Sequence, residues 1–273
     1  MLKILILTVL FFNAYAFNAL NIEDNFKYSD SCGYIYYIED VNSSLNPIDI
    51  INAKDLTLSH KTHLGAQQGP FWTRLEVKNS TSSIKQLYMF NPLAGTNEID
   101  VYVYRDGNLS QTHTLGDLNE RSKREIINRH SLFILTLMPY ESSVIISKVK
   151  NYYMYNIGWV TQDATSFMNS ESNELVIFGL ITGVLIFFVI YNMIYFRMYK
   201  EYIYLIISMN ILLVVGYLYS FHGITYQLNL GINLSLITAY TWNTTSLTSI
   251  ALLLFPFFFF NINKNHKKIA LFL

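Results

Sequence analysis

Between Tyr34 and Thr161 the chain is a succession of short runs rich in β-branched and aromatic residues: 34–39, 72–78, 86–90, 98–104, 132–138, 143–150 and 154–160. Their period is two, which predicts strands, and Asn79-Ser80-Thr81-Ser82-Ser83, Asp106-Gly107-Asn108 and Pro139-Tyr140-Glu141-Ser142-Ser143 supply turn chemistry between them. In GPFWTRLEVKNS (69–80) one face holds Phe71, Thr73, Leu75 and Val77, and the other Trp72, Arg74, Glu76 and Lys78. In EIDVYVY (98–104) Ile99, Val101 and Val103 alternate with Asp100, Tyr102 and Tyr104. No helical period of useful length interrupts the series. Each strand therefore has an apolar face that a second sheet must cover. The pattern predicts a mainly β domain over residues 17–162, an antiparallel β-sandwich, jelly-roll-like, of roughly seven to nine strands.

The pattern changes after Glu174. Residues 163–174, DATSFMNSESNE, read as a short polar linker, with Ser170 and Asn173 as expected helix N-caps. Uncharged apolar runs at 175–196, 202–221 and 232–260 are each long enough to cross a bilayer, and 269–273 reads as the start of a fourth. An α-helical transmembrane region is thus expected over 175–273. Polar residues between Thr241 and Ser249, with Asn192 and Asn210, read either as interhelical hydrogen-bonding groups or as the seat of a ligand pocket or switch. The spans contain no internal charge, which argues against ion-coupled transport.

The chain has 273 residues and a net charge of zero, but its charges are unevenly placed. They are frequent and mixed in sign up to residue 173; beyond Glu174 the only acidic residue is Glu201 and the only basic ones Arg197, Lys200, Lys264, Lys267 and Lys268. Without a basic excess a nucleic-acid surface is not expected. MLKILILTVLFFNAYA (1–16) has an early lysine, a short apolar run and Ala14-Tyr15-Ala16, the pattern of a cleaved signal peptide; an uncleaved anchor is the rival. Either exports the polar half. Lys and Arg then fall on the inner turns and are missing from the outer loop 222–231, as the positive-inside rule requires. Cys32 is the only cysteine, so no intramolecular disulfide forms.

Several local patterns resemble one family. They are LGAQQGPFWTRLEVKNSTS (64–82), with its Trp-x-Arg strand ending in asparagine; REIINRHSLFILTLMPYES (124–142), an arginine-containing lead into a strand; YNMIYFRMYKEYIYLIIS (191–208); and GYLYSFHGITYQL (216–228). In this order they resemble the bacterial seven-transmembrane receptors with diverse intracellular signalling modules, over nearly all of the chain after about residue 35. The resemblance implies an exported sandwich that binds carbohydrate or another small ligand. It also implies a multi-pass region in the bacterial inner membrane, in contact with lipid, that signals to a cytoplasmic kinase or cyclase. Against that pattern the sequence stops at the start of a fourth span, so a fragment, a truncated gene product or half of a split receptor is expected. The alternative is a membrane-anchored binding or assembly protein without signalling output.

Candidate ligand-binding residues are Trp72 and Arg74, with Tyr102 and Tyr104 beside them as an aromatic platform for a sugar ring, and Arg124 and Arg129 as anion-binding groups. The bland readings are a buried Trp covered by an Arg stem and a solvated strand entrance. His60 and His63 have no further ligands nearby and read as solvated rather than metal-binding. No catalytic, metal or cofactor motif is present, so no enzyme is expected.

Overall fold

The computed structural model describes residues 17–228 except 68, 120, 121, 123 and 153, together with 246–253, 255 and 259. The signal-peptide reading, most of the third span with Thr241 to Thr245, and the start of the fourth lie outside the described residues.

Thirteen strands and a short helix precede the apolar helices among the described residues. In chain order these are β1 (Ala19–Ile22), β2 (Tyr28–Asp30), β3 (Ile35–Glu39), α1 (Pro47–Asn52), β4 (Thr57–Leu58), β5 (His63–Gly65), β6 (Phe71–Asn79), β7 (Lys85–Asn91), β8 (Glu98–Arg105), β9 (Asn108–Leu115), β10 (Ser131–Leu137), β11 (Ser142–Lys150), β12 (Tyr155–Asn156) and β13 (Val160–Asp163). The larger sheet runs β4-β3-β6-β11-β8-β9, and β1 adds in parallel to the second half of β6, beyond the stretch that pairs with β3. The smaller runs β10-β7-β13-β2; β5 and β12 form a separate pair.

The alternation sets the layers. Phe71, Leu75 and Val77 of β6, Ile99, Val101 and Val103 of β8 and Ile145 and Val149 of β11 meet Leu87 and Met89 of β7 and Phe133, Leu135 and Leu137 of β10 in one buried core. Trp159 completes it, edge-on to Phe133 at 5.1 Å. Its Nε1 donates to Ser147 Oγ (3.0 Å), which also accepts from Thr73 Oγ1 (3.1 Å), so the inward polar groups of adjacent strands satisfy each other. The expected antiparallel sandwich is the observed one.

The elements that the sequence reading lacked are the short or polar ones. β9, NLSQTHTL, is an edge strand with little apolar content, and α1 is six residues long. A capping box (Asn46 with Asp49) and a proline in its first turn start α1, signals that outweigh its missing period.

α2 (Ala164–Tyr199) is a single helix of 36 residues. Its N-cap is Asp163, whose carboxylate accepts from Ser166 N (3.0 Å), so Ser170 and Asn173 are inside the helix rather than caps and the polar linker is helical. Lys200 ends it in the left-handed conformation (φ 57°), and α3 (Tyr202–Phe221) turns back against it, Ser208 Oγ meeting Val189 O at 3.4 Å and Tyr204 packing on Tyr195. A short α4 (Ile224–Leu228) follows, and 246–253 are helical. Asn192 is buried but bonds its own helix at Phe188 O (2.8 Å) rather than a neighbour. α2 and α3 are long and apolar enough to cross a membrane, and their apolar windows are 0% and 11% buried. Side chains such as Leu180 (67% exposed) and Phe187 (63%) would be untenable in water at this density.

Candidate ligand and coupling sites

The aromatic platform is dismantled by what lies over it. Trp72 faces outward from the larger sheet as the alternation requires, yet it is only 2% exposed because α1 covers that face; Ile50 of α1, Tyr104 and Ile146 form a second small core with it. Its Nε1 donates to Asp40 Oδ2 (3.0 Å), and Asp40 also accepts from Ser44 N and Leu45 N. Burial opposes the Asp40 charge, but these three donors outweigh it and hold the carboxyl below its ordinary range. Tyr104 is buried as well, and half-buried Tyr102 stacks on Trp72 with centroids 6.2 Å apart. Arg74 is covered too: its guanidinium lies over the Phe17 ring at 3.6 Å and beside Glu76, also at 3.6 Å. Of these four, only Tyr102 keeps appreciable exposure.

Arg124 and Arg129 are not a solvated strand entrance either. Both precede β10, in the loop at the end of the sandwich that meets the apolar helices, and they are 6% and 2% exposed. Arg129 clamps α2: Nε donates to both oxygens of Glu171 (2.9 and 3.1 Å), Nη2 to Glu171 Oε2 (3.1 Å) and also to Glu174. Burial disfavours its charge, but the two carboxylates prevail and push its pKa up. Asn128 Nδ2 adds a bond to Glu171 (3.3 Å). Arg124 is stapled to its own loop, donating to the carbonyls of Gly116 (2.6 Å), His130 (3.2 Å) and Asn128 (3.3 Å), and its guanidinium lies 3.8 Å over the ring of Tyr226 in α4. Burial pushes it down from the usual arginine value, and Tyr226 and Asp117 oppose that.

Three further contacts close the junction. Phe167 of α2 stacks on Tyr88 (4.8 Å) and packs on Phe90 (5.7 Å), both from β7. Ser170 Oγ bonds Gln162 of β13 at 3.2 Å. Gly223, between α3 and α4, sits where a Cβ would be 2.4 Å from Arg129 O and 2.9 Å from the Ala94 Cβ. The turn after α3 thus presses on the same loop that grips α2. Sequence reasoning placed the two arginines on its candidate roster but missed Glu171, Glu174, Gly223 and Tyr226 as their partners. The only signal was Glu171 and Glu174 at helical spacing in a segment that reads as a linker.

His60 and His63 are exposed, and no group of three metal-type ligands forms among the described residues.

The model of the 7TMR-DISM extracellular 2 family matches residues 33–160. No curated protein matches the chain. Similar solved structures include a Cry1Da tryptic core variant of Bacillus thuringiensis (8% identity, 37% of this chain and 17% of that one, TM-score 0.23). Others are a family 35 carbohydrate binding module from Clostridium thermocellum (11%, 48% and 91%, TM-score 0.23) and a beta-glucosidase from Kluyveromyces marxianus (8%, 47% and 15%, TM-score 0.24). This chain spans less than a fifth of the toxin core and of the glucosidase, and at such scores none of the three bears on what it binds. The match of residues 33–160, the sandwich they build and the exposed apolar helices after it agree on a membrane protein with an exported N-terminal domain, similar over residues 33–160 to the 7TMR-DISM extracellular 2 domain.

Proposed function

We propose that the chain is the input part of a transmembrane signalling receptor. Its sandwich binds a small ligand of the carbohydrate class outside the cell, and the helices after it, crossing the bacterial inner membrane several times in contact with lipid, carry the change to a cytoplasmic kinase or cyclase. The observation that supports this most directly is the junction. Arg129 holds the first turns of α2 through Glu171 and Glu174, while its own backbone carbonyl seats Gly223 at the end of α3. One residue of the sandwich therefore touches both apolar helices or their ends, with no slack between them. A ligand that favours one arrangement of the 116–130 loop over another would shift α2 against α3, because differential affinity for two arrangements is the energetic source of any such signal. The lack of Lys and Arg in 222–228 and their presence at Arg197 and Lys200 support an outward sandwich and an inward α2–α3 turn.

The test is hydrogen exchange on the full chain in lipid nanodiscs, with and without a ligand found by thermal-shift screening. Altered protection in both 164–174 and 222–228 is expected. A ligand that stabilises the sandwich but leaves both segments unchanged would defeat the receptor reading in favour of a membrane-anchored binding protein.

A further inference from the structure

The free edge of the larger sheet holds a site that the six candidates overlook except for Arg124. Among the described residues β9 pairs only with β8, so alternate backbone N–H and C=O groups on its outer side have no ladder partner. After Leu115 the chain turns sharply away. Gly116 has φ +108°, and a Cβ there would lie 2.2 Å from Asn97 O, so no other residue fits the turn. Ser122, Arg124 and Glu125 then lie beside the strand. Between them lies an open groove of about 690 Å³, lined by residues 111–115 of β9 and by Ser122, Arg124 and Glu125.

The groove is rich in neutral hydrogen-bonding groups and balanced in charge. Thr112 and Thr114 are exposed on the outer side of β9, and half-buried Tyr102 of β8 stands directly opposite Thr112. On the inner side His113 stacks on Phe133 (5.0 Å), with Nδ1 3.6 Å from the Glu125 carboxylate. Burial pushes His113 down and Glu125 opposes this, so the net direction favours a neutral ring. Among the described lining residues the only anion is Glu125, and the only cation is Arg124. Arg124 already has three carbonyls and the Tyr226 ring, so little of its charge is left for an anionic ligand. Hydroxyls, backbone amides, an imidazole and one carboxylate at the mouth suit a molecule whose groups both donate and accept, and the carboxylate repels an anion.

We infer that this groove is the ligand site of the sandwich and takes a neutral polyhydroxylated molecule, a sugar or polyol, with Arg124 linking it to Tyr226 beyond α3. The inference rests on the receptor reading for there being a ligand at all. It is tested separately, by saturation-transfer NMR on the full chain in nanodiscs with glucose, galactose, xylose and mannitol as probes and glucuronate as the charged counterpart. At least one neutral probe receives transfer. Thr112→Trp, a residue suited to an exposed strand position but filling the groove, weakens it about tenfold or more. Glu125→Gln, on an exposed side chain, weakens it a few-fold and serves as the second variant should Thr112→Trp change the melting curve. Ile84→Trp, exposed before β7, leaves it unchanged. Binding that survives both groove variants overturns the location while the receptor reading stands. Transfer from none of the neutral probes, or stronger transfer from glucuronate, overturns the ligand chemistry, and the receptor reading is then decided by exchange at the junction.

Discussion

His130 shows how much one side chain can report about the junction. It is 8% exposed, its ring lies against Phe90 at 4.9 Å, and it bonds the Asn91 backbone. Burial, then the charge of Arg129, with smaller contributions from His222 and Arg124, pushes its pKa down to about 3. The unfolded chain titrates near the ordinary value of ~6.5. Between those values the unfolded state binds more protons, so acidification removes stability, starting as pH falls below about 6.5 and continuing to about 3. The slope from this group is at most about 1.4 kcal/mol per pH unit. His130→Phe keeps the ring packing and loses the bond to Asn91, so it is expected to lower the melting temperature slightly at neutral pH and to flatten its decline on acidification. A decline as steep as in the parent chain, measured by thermal unfolding in nanodiscs, would count against this assignment. At this scale the sequence is legible only in part. Alternation correctly puts Trp72 on the outer face of β6, but a period of two states which face a side chain takes and not what covers it. The cover is α1, too short to show a helical period.

At the scale of elements the informative one is α2. Thirty-six residues at about 1.5 Å each make roughly 54 Å of helix, well beyond a hydrocarbon core of about 30 Å. The surplus is at the N-terminal end, where Phe167, Ser170, Glu171 and Glu174 meet the sandwich. The polar composition of 163–174 therefore reflects a docked helix rather than a solvated connector. This could not be read locally, since Arg129 and Glu171 are 42 positions apart. Six longer strands, β3, β6, β7, β8, β10 and β11, were legible because an apolar side chain on every second residue leaves few alternatives. Polar β9 was not, because its outer face is exposed and its inner face sits at the rim of the core. Arg129→Met should strand Glu171 beside an apolar stem, at a cost of roughly 3 kcal/mol. Most of that belongs to Glu171, because Glu174 is half exposed and solvent screens it. Exchange in residues 164–174 should rise strongly while β6, β8 and β11 keep their protection. Uniform loss of protection across the sandwich would mean that Arg129 holds the domain together rather than the junction.

For the whole molecule, the question is whether α2 and the α3–α4 turn are held as one body or as two. Phe167 against Tyr88 and Phe90, and the carboxylates on Arg129, fix α2. Gly223 and Tyr226 fix the turn on the Arg129 carbonyl and the Arg124 guanidinium. The two attachments share one loop but use different atoms, so they can be cut separately. Gly223→Val adds a side chain at φ +71°, where even a Cβ would be 2.4 Å from Arg129 O, so the turn cannot seat. The Arg129 side chain and its carboxylates are untouched by that change. The variant should keep ligand affinity within about twofold, since the β9 residues and Glu125 are untouched and Arg124, though it loses the Tyr226 ring, keeps its three carbonyls. Protection at 222–228 should fall, and the ligand should alter exchange only in 164–174. If ligand affinity falls along with protection at 222–228, the turn helps to shape the binding state and the sandwich and membrane region switch as one body. If protection at 222–228 is unchanged, the turn does not depend on the glycine seat and the Arg124–Tyr226 stack is the contact to cut next.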